Sequence, residues 1–281
     1  MKIWLKLLII FMSVFLLGGC NGGDMEESRI NYKSIKDIPT VKWEQLDKKQ
    51  IFFGHQSVGN NILDGIRDIM KEVPAINFNI MEVTDKTENT DWDGGVFAHS
   101  KIGKNGDPQA KIDEFVDLTN KGIGNNSDLA FFKFCYVDVD KGTDIQKLFD
   151  EYKSNMAELK NNYPNTTFVH FTVPLLKKNK ASFKKWIKDL LGRNSGFFAN
   201  EHNIQRNRFN NLIVDEYSGK EPVFDLAKLE STYPDGSRET FTEQDKPYYS
   251  LVPDYTDDGG HLNSVGRKIV AEQLLLFLAN Q

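Results

Sequence analysis

The feature that most limits what this chain can fold into is a rhythm. Short apolar runs alternate with longer stretches whose apolar residues recur every three or four positions. Ile51-Phe52-Phe53 is a short run stopped by Gly54. It is followed by NNILDGIRDIMKEV, which sets Ile62, Ile66, Ile69, Met70 and Val73 at helical spacing. Phe78 to Val83, Leu129 to Tyr136, Thr167 to Val173 and Pro222 to Leu226 read as further strands. Ile145 to Leu159, Ile204 to Tyr217 and Val265 to Leu278 read as helices. Strands separated by helical patterns of this length predict a parallel sheet covered on both faces. The expected fold class is therefore α/β, a three-layer α/β/α sandwich with a central parallel sheet. In such sheets reactive groups gather at the carboxyl ends of the strands.

Composition narrows the classes of function. The 281 residues suit one or two domains, and 20 Phe, 9 Tyr and 4 Trp suffice for a large core. The formal charge, 35 − 40 = −5, gives no basic footprint for nucleic acid. Cys20 and Cys135 are the only cysteines, too few for a disulfide scaffold. Cys135 sits in an apolar run, where a thiol stays protonated and inert.

The amino terminus reads as an address. Lys2 and Lys6 precede the apolar run Leu7 to Leu17, which is shorter than the roughly 20 residues a membrane span needs. The run ends in Leu17-Gly18-Gly19-Cys20, which resembles the bacterial lipobox. That resemblance implies a signal peptide over residues 1–19, lipidation of Cys20, and an exported protein anchored to the cell membrane or envelope. Residues 20–45 are then expected to form the lipidated Cys and a flexible tether, with the folded domain over 46–281.

Two stretches carry chemistry. Gly54-His55-Gln56-Ser57-Val58-Gly59 follows the first strand and leads into a helix. A serine there stands near helix-start amides that favour negative charge, but it needs a base, and it can equally be a helix N-cap. Near the other end, Asp257-Asp258-Gly259-Gly260-His261-Leu262-Asn263 places a carboxylate and an imidazole three residues apart. A carboxylate in that position fixes the ring tautomer and stabilises an imidazolium. An acidic loop with a capping Asn263, or a metal site, uses the same residue types. Asp138, Asp140 and Asp144 lack calcium-loop spacing and read as a solvated acidic loop. Asp235-Gly236-Ser237 follows Pro234 and reads as a turn. Residues 177–200 are basic with interleaved aromatics, and 228–257 form a long connection rich in Tyr and Asp.

Taken together, the two stretches resemble the SGNH (GDSL-like) hydrolase superfamily. The order Ser57, Asp258, His261, closed by a terminal helix, matches that family over roughly residues 48–281. The resemblance implies a flavodoxin-like SGNH-type sheet and a catalytic triad of Ser57, Asp258 and His261. It also implies an oxyanion hole with a glycine amide, for which Gly103 is the candidate. The family's Gly-x-Asn-Asp is replaced here by Cys135-Tyr136-Val137-Asp138, so Tyr136 or Asn105 would have to supply the missing donor. His55-Gln56-Ser57 departs from the usual Gly-Asp-Ser, leaving His55 and Gln56 to touch substrate or to support the serine, or His55 simply to pack. Such chemistry requires no metal and no organic cofactor. The expectation is an anchored serine esterase acting on an acylated small molecule or polysaccharide, with carbohydrate O-acetyl groups foremost. Tyr233, Tyr248, Tyr249, Tyr255 and Trp186 are candidates to stack on sugar rings. An acyltransferase with the same triad, or a degenerate glycan- or partner-binding lipoprotein, are the alternatives.

Overall fold

The computed structural model describes residues 34–84, 92, 94–179 and 200–281. The expected signal peptide, Cys20, Trp186 and most of the basic 177–200 stretch lie outside them. Six strands form one parallel sheet in the order β2-β3-β1-β4-β5-β6. They are β1 (Gln50–His55), β2 (Ile80–Glu82), β3 (Val96–Lys101), β4 (Leu129–Phe132), β5 (Thr167–Phe171) and β6 (Val223–Phe224). Helices α1 (Thr40–Asp47), α2 (Ser57–Glu72) and α7 (Ser264–Ala279) accompany one face. On the other lie α3 (Pro108–Leu118), α4 (Ile145–Asn162) and α5 (Asn200–Tyr217). This is the expected three-layer α/β/α sandwich. Apart from the short edge strand β2, the order is the flavodoxin-like one.

Alternation along β1 explains the two cores. Ile51 and Phe53 face the α2/α7 layer, whereas Phe52 faces the α3/α4 layer, and all three are fully buried. Phe53, Phe131 and Phe171 form a ladder across adjacent strands, with centroids 5.1 and 4.9 Å apart. Such aromatic pairs add to area burial and hold the register of the central strands.

Several elements differ from the sequence expectation. Strand β3 and helix α3 were not anticipated, and the strand expected over 129–136 stops at Phe132. The domain also begins before residue 46. Ile35, Ile38, Trp43 and Leu46 are buried in the α2/α7-side core, so part of the segment expected as tether belongs to the fold. The long connection holds α6 (Leu226–Glu230) and an antiparallel hairpin of β7 (Thr240–Glu243) and β8 (Lys246–Tyr249). The Asp235-Gly236-Ser237 tripeptide is a turn, with Gly236 at φ +86° and Ser237 bonded to Asp235.

Candidate active site

The nucleophile candidate stands at the topological switch point. Strand β1 has β3 on one side and β4 on the other, and its carboxyl end runs into α2. Open α/β sheets bind ligands at this crevice. Ser57 is the first residue of α2, and Gln56 holds the N-cap position without a side-chain cap bond. Ser57 is therefore not an N-cap. As the first helical residue its amide has no intrahelical acceptor, and it adds to the positive end of the helix dipole.

Packing of α2 on α7 closes a gap of 204 residues in sequence. Gly65 permits that approach, since a Cβ there would lie 2.4 Å from the Arg267 carbonyl oxygen. Arg267 pairs with Asp68 at 2.6 Å, and Lys268 with Glu72 at 2.6 Å. Asn263 caps α7 by accepting from the Val265 and Gly266 amides. Asn61 of α2 accepts from the Leu262 amide at 3.2 Å, tying the loop before α7 directly to the serine's helix.

His261 Nε2 consequently lies 2.9 Å from Ser57 Oγ, and its Nδ1 lies 2.6 Å from Asp258 Oδ2. The carboxylate assigns the tautomer: Nδ1–H donates to Asp258, leaving the Nε2 lone pair to accept the serine proton. Asp258 Oδ1 also accepts from the Gly260 and His261 amides, each at 2.9 Å. Burial by itself would raise the Asp258 carboxyl, but the His261 ring and these two amides outweigh it and hold it well below the usual carboxylate range. The three residues form one unbroken chain of hydrogen bonds.

Tyr136 joins this chain. Its hydroxyl is 3.4 Å from His261 Nε2, and its ring meets the imidazole edge-on with centroids 5.7 Å apart. Burial, with the charge of Asp258 adding to it, pushes the phenol up to about 12, so it stays a protonated donor. Gly260 makes room for it: a Cβ there would lie 3.0 Å from the Tyr136 ring and 2.7 Å from Leu176 Cδ2.

The other oxyanion candidates are placed differently. Gly103 takes φ +57°, and a Cβ there would strike Lys111. Its amide donates to Glu114 Oε2 at 2.6 Å, so this N–H is already engaged by a carboxylate. Asn105 offers its side-chain oxygen to Lys111 Nζ at 3.0 Å and makes no hydrogen bond to the triad. Both residues build the turn after β3, and the contacts they make there are to Glu114 and Lys111. Gln56 stitches that turn to the nucleophile: its side-chain amide donates to the Ile102 and Gly103 carbonyls at 2.8 and 3.0 Å.

His55 points into the core and is fully buried. Its Nδ1 donates to the Gln56 carbonyl at 2.8 Å, which leaves Nε2 to accept from His99 Nδ1 at 3.1 Å. Burial drives His55 down to about 3, and it lowers His99 as well. Gly59 is seated on this ring, with no space for a Cβ. His55 is thus a neutral support for the β1–α2 turn.

Sequence reasoning missed the buried charges behind the site. Asp138 is not part of a solvated acidic loop. Its side chain is fully buried with Lys111 at 2.5 Å, and it accepts from the Cys135 and Gly106 amides. Asp144 caps α4, while Asp140 bonds within its own turn. Cys135 is buried, as expected. Of the tyrosines proposed to meet sugar, Tyr255 is buried with its hydroxyl on the Thr232 carbonyl. Tyr249 is exposed, but Arg238 already covers one ring face at 3.7 Å. Among the described residues no cluster of His, Cys, Asp and Glu has the geometry to hold a metal ion.

No family model and no curated protein matches this chain. Solved structures do match. A Streptococcus pneumonia structure whose description names platelet activating factor aligns at TM-score 0.47 and 14% identity, over 85% of this chain and 90% of that one. A Parabacteroides merdae protein described as a GDSL-like lipase aligns at TM-score 0.46 and 11% identity, over 84% and 97%. The periplasmic domain of a Salmonella Paratyphi A lipopolysaccharide acetyltransferase aligns at TM-score 0.43 and 13% identity, over 79% and 80%. These similarities are distant, and the chemistry of this chain is drawn from its own geometry.

Proposed function

We propose that this chain is a serine esterase of the SGNH type that removes acyl groups, with O-acetyl esters of carbohydrate as its substrate class. One observation carries the reading: the unbroken Ser57–His261–Asp258 chain at the switch point of a parallel sheet. Ser57 Oγ attacks the ester carbonyl while His261 Nε2 takes its proton, and Asp258 balances the imidazolium. The oxyanion is received by the Ser57 amide at the start of α2 and by the Tyr136 hydroxyl. Tyr136 takes the place of the family asparagine, because its phenol stays protonated and lies at the reacting nitrogen. Collapse breaks the ester C–O bond, and His261 returns the proton to the leaving alcohol. Water, deprotonated by the same nitrogen, then releases the acid and regenerates the serine.

The carbohydrate assignment rests on the reading of residues 1–19 as a signal peptide and of Cys20 as the lipidated anchor, which would bring the enzyme to envelope polymers. Fluorophosphonate labelling of the purified protein tests the mechanism, read by intact mass and peptide mapping. A single adduct on Ser57 that is lost in His261→Ala is expected. Ester hydrolysis that survives Ser57→Ala would overturn the reading. Release of acetate from acetylated glycans, measured with and without a second glycan as acceptor, then separates hydrolysis from transfer.

A further inference from the structure

Helix α5 buries a guanidinium that no step above uses. Arg206 is fully buried, yet desolvation lowers it only to about 10, so it keeps its charge at neutral pH. Burying a charge is costly, and an apolar side chain of similar volume would often serve stability as well. Its hydrogen bonds show what the charge does. Nε donates to the main-chain carbonyl of Tyr136 at 2.7 Å. Nη1 donates to Asn203 Oδ1 at 2.7 Å. Asn203 in turn brackets Leu176, accepting from its amide at 3.0 Å and donating to its carbonyl at 2.6 Å. The next amide, Lys177 N–H, donates to the Gly259 carbonyl at 2.9 Å.

Both arms converge on one place. Tyr136 and Leu176 are the two side chains that crowd Gly260, the residue before His261. One planar fork therefore fixes both walls of the slot that seats Gly259-Gly260-His261. A lysine, with a single compact ammonium, cannot satisfy two acceptors in a fixed plane in the same way.

We propose that Arg206 is a positioning residue for the triad, setting Tyr136 and Leu176 so that the Gly260 turn presents His261 to Ser57. This inference rests on the reading of His261 as the base, so one readout must not depend on turnover. The experiment compares wild type, Arg206→Lys, Arg206→Met, Tyr136→Phe and the Arg206→Met/Tyr136→Phe double variant. Three quantities are measured: fluorophosphonate labelling rate at Ser57, kcat and KM on p-nitrophenyl acetate, and the pH titration of the His261 ring by nitrogen-15 NMR.

Arg206→Met is expected to slow labelling and kcat about tenfold to a hundredfold, the usual cost of a misplaced base, with KM within about twofold. The His261 titration shifts in the same variant, and Arg206→Lys recovers part of each loss. Because Arg206 acts partly through Tyr136, its removal costs less in the Tyr136→Phe background. An Arg206→Met protein that folds and keeps both the wild-type labelling rate and the wild-type His261 titration overturns the proposal. So do fully additive losses in the double variant. Should Arg206→Met fail to fold, Arg206→Lys carries the same readouts: loss of kcat with a shifted titration supports the proposal, and wild-type values sink it. Wild-type protein that neither labels nor turns over refutes the esterase reading alone, and the titrations still decide the role of Arg206.

Discussion

His55 and His261 both serve Ser57, one from two residues away in the chain and the other from 204. His55 is fully buried, donates to a main-chain carbonyl and leans on a second histidine. The His261 side chain is 38% exposed and donates to a carboxylate. Proximity in sequence therefore does not identify the base. In the proposed reaction a base must accept a proton, and of these two rings only His261 hydrogen-bonds a carboxylate that would stabilise the charge so formed. His55 lies where desolvation opposes any charge, so its value to the site is its shape and its two fixed hydrogen bonds.

The sharpest way to break this contrast is to remove each ring in turn. His261→Ala should cost about 10⁴-fold or more in kcat. His55→Gln should keep a labelled Ser57, with its loss appearing mainly as lower stability. Equal losses of labelling rate in the two variants would end the division of roles.

A smaller effect is expected at the buried pair Lys111–Asp138, the counterpart of the exposed pair Asp258–His261. Removing one partner leaves an unpaired buried charge, so Lys111→Met should cost about 3–5 kcal/mol in denaturant unfolding. The side chains of Asp258 and His261 are 56% and 38% exposed, and Asp258→Asn should cost much less stability than Lys111→Met while kcat falls. A large stability loss in Asp258→Asn would show that the exposed pair is structural too.

The gentlest probe is pH. Folded His55 titrates at about 3, against about 6.5 in the unfolded chain. Between these values the unfolded state binds a proton that the folded state refuses. Stability is therefore full above about pH 6.5 and falls as pH drops toward 3. Asp258, held below its ordinary value, moves stability the same way, but only below about pH 4. Glu230, raised to about 8 by burial, acts oppositely: its contribution is full below about pH 4.5 and is lost as pH rises to 8. The difference between wild type and His55→Gln cancels Glu230 and isolates the histidine. That difference in unfolding free energy should be largest near neutral pH and shrink between pH 6 and 4. A difference independent of pH would mean that His55 takes up its proton as readily in the folded protein as in the unfolded chain.

Much of this was legible in the residues. Apolar periodicity identified the central strands and α2, α4 and α7, because their buried faces repeat at short range. The spacing Asp258-x-x-His261 was legible for a similar reason, since three residues suffice to bring a carboxylate to an imidazole. Strand β3 was missed although VFAHS is short and buried, because His99 and Ser100 look polar until a buried partner is found for them. Helix α3 had a usable signal in Asp107-Pro108, an N-cap followed by proline in the first turn. Nothing local could have revealed that Glu114 takes the Gly103 amide or that Lys111 neutralises Asp138.

The sequence by itself determined the layered α/β architecture, the identity of the three candidate catalytic side chains and the absence of an asparagine after β4. Tertiary structure decided how closely His261 approaches Ser57, that Tyr136 rather than Gly103 or Asn105 bonds His261 Nε2, and that Arg206 is tied to both walls of the His261 turn. The physical reason is range. Backbone periodicity is written within a few residues, whereas an active site is made of hydrogen bonds between groups that only a closed, desolvated core brings to within 3 Å of one another.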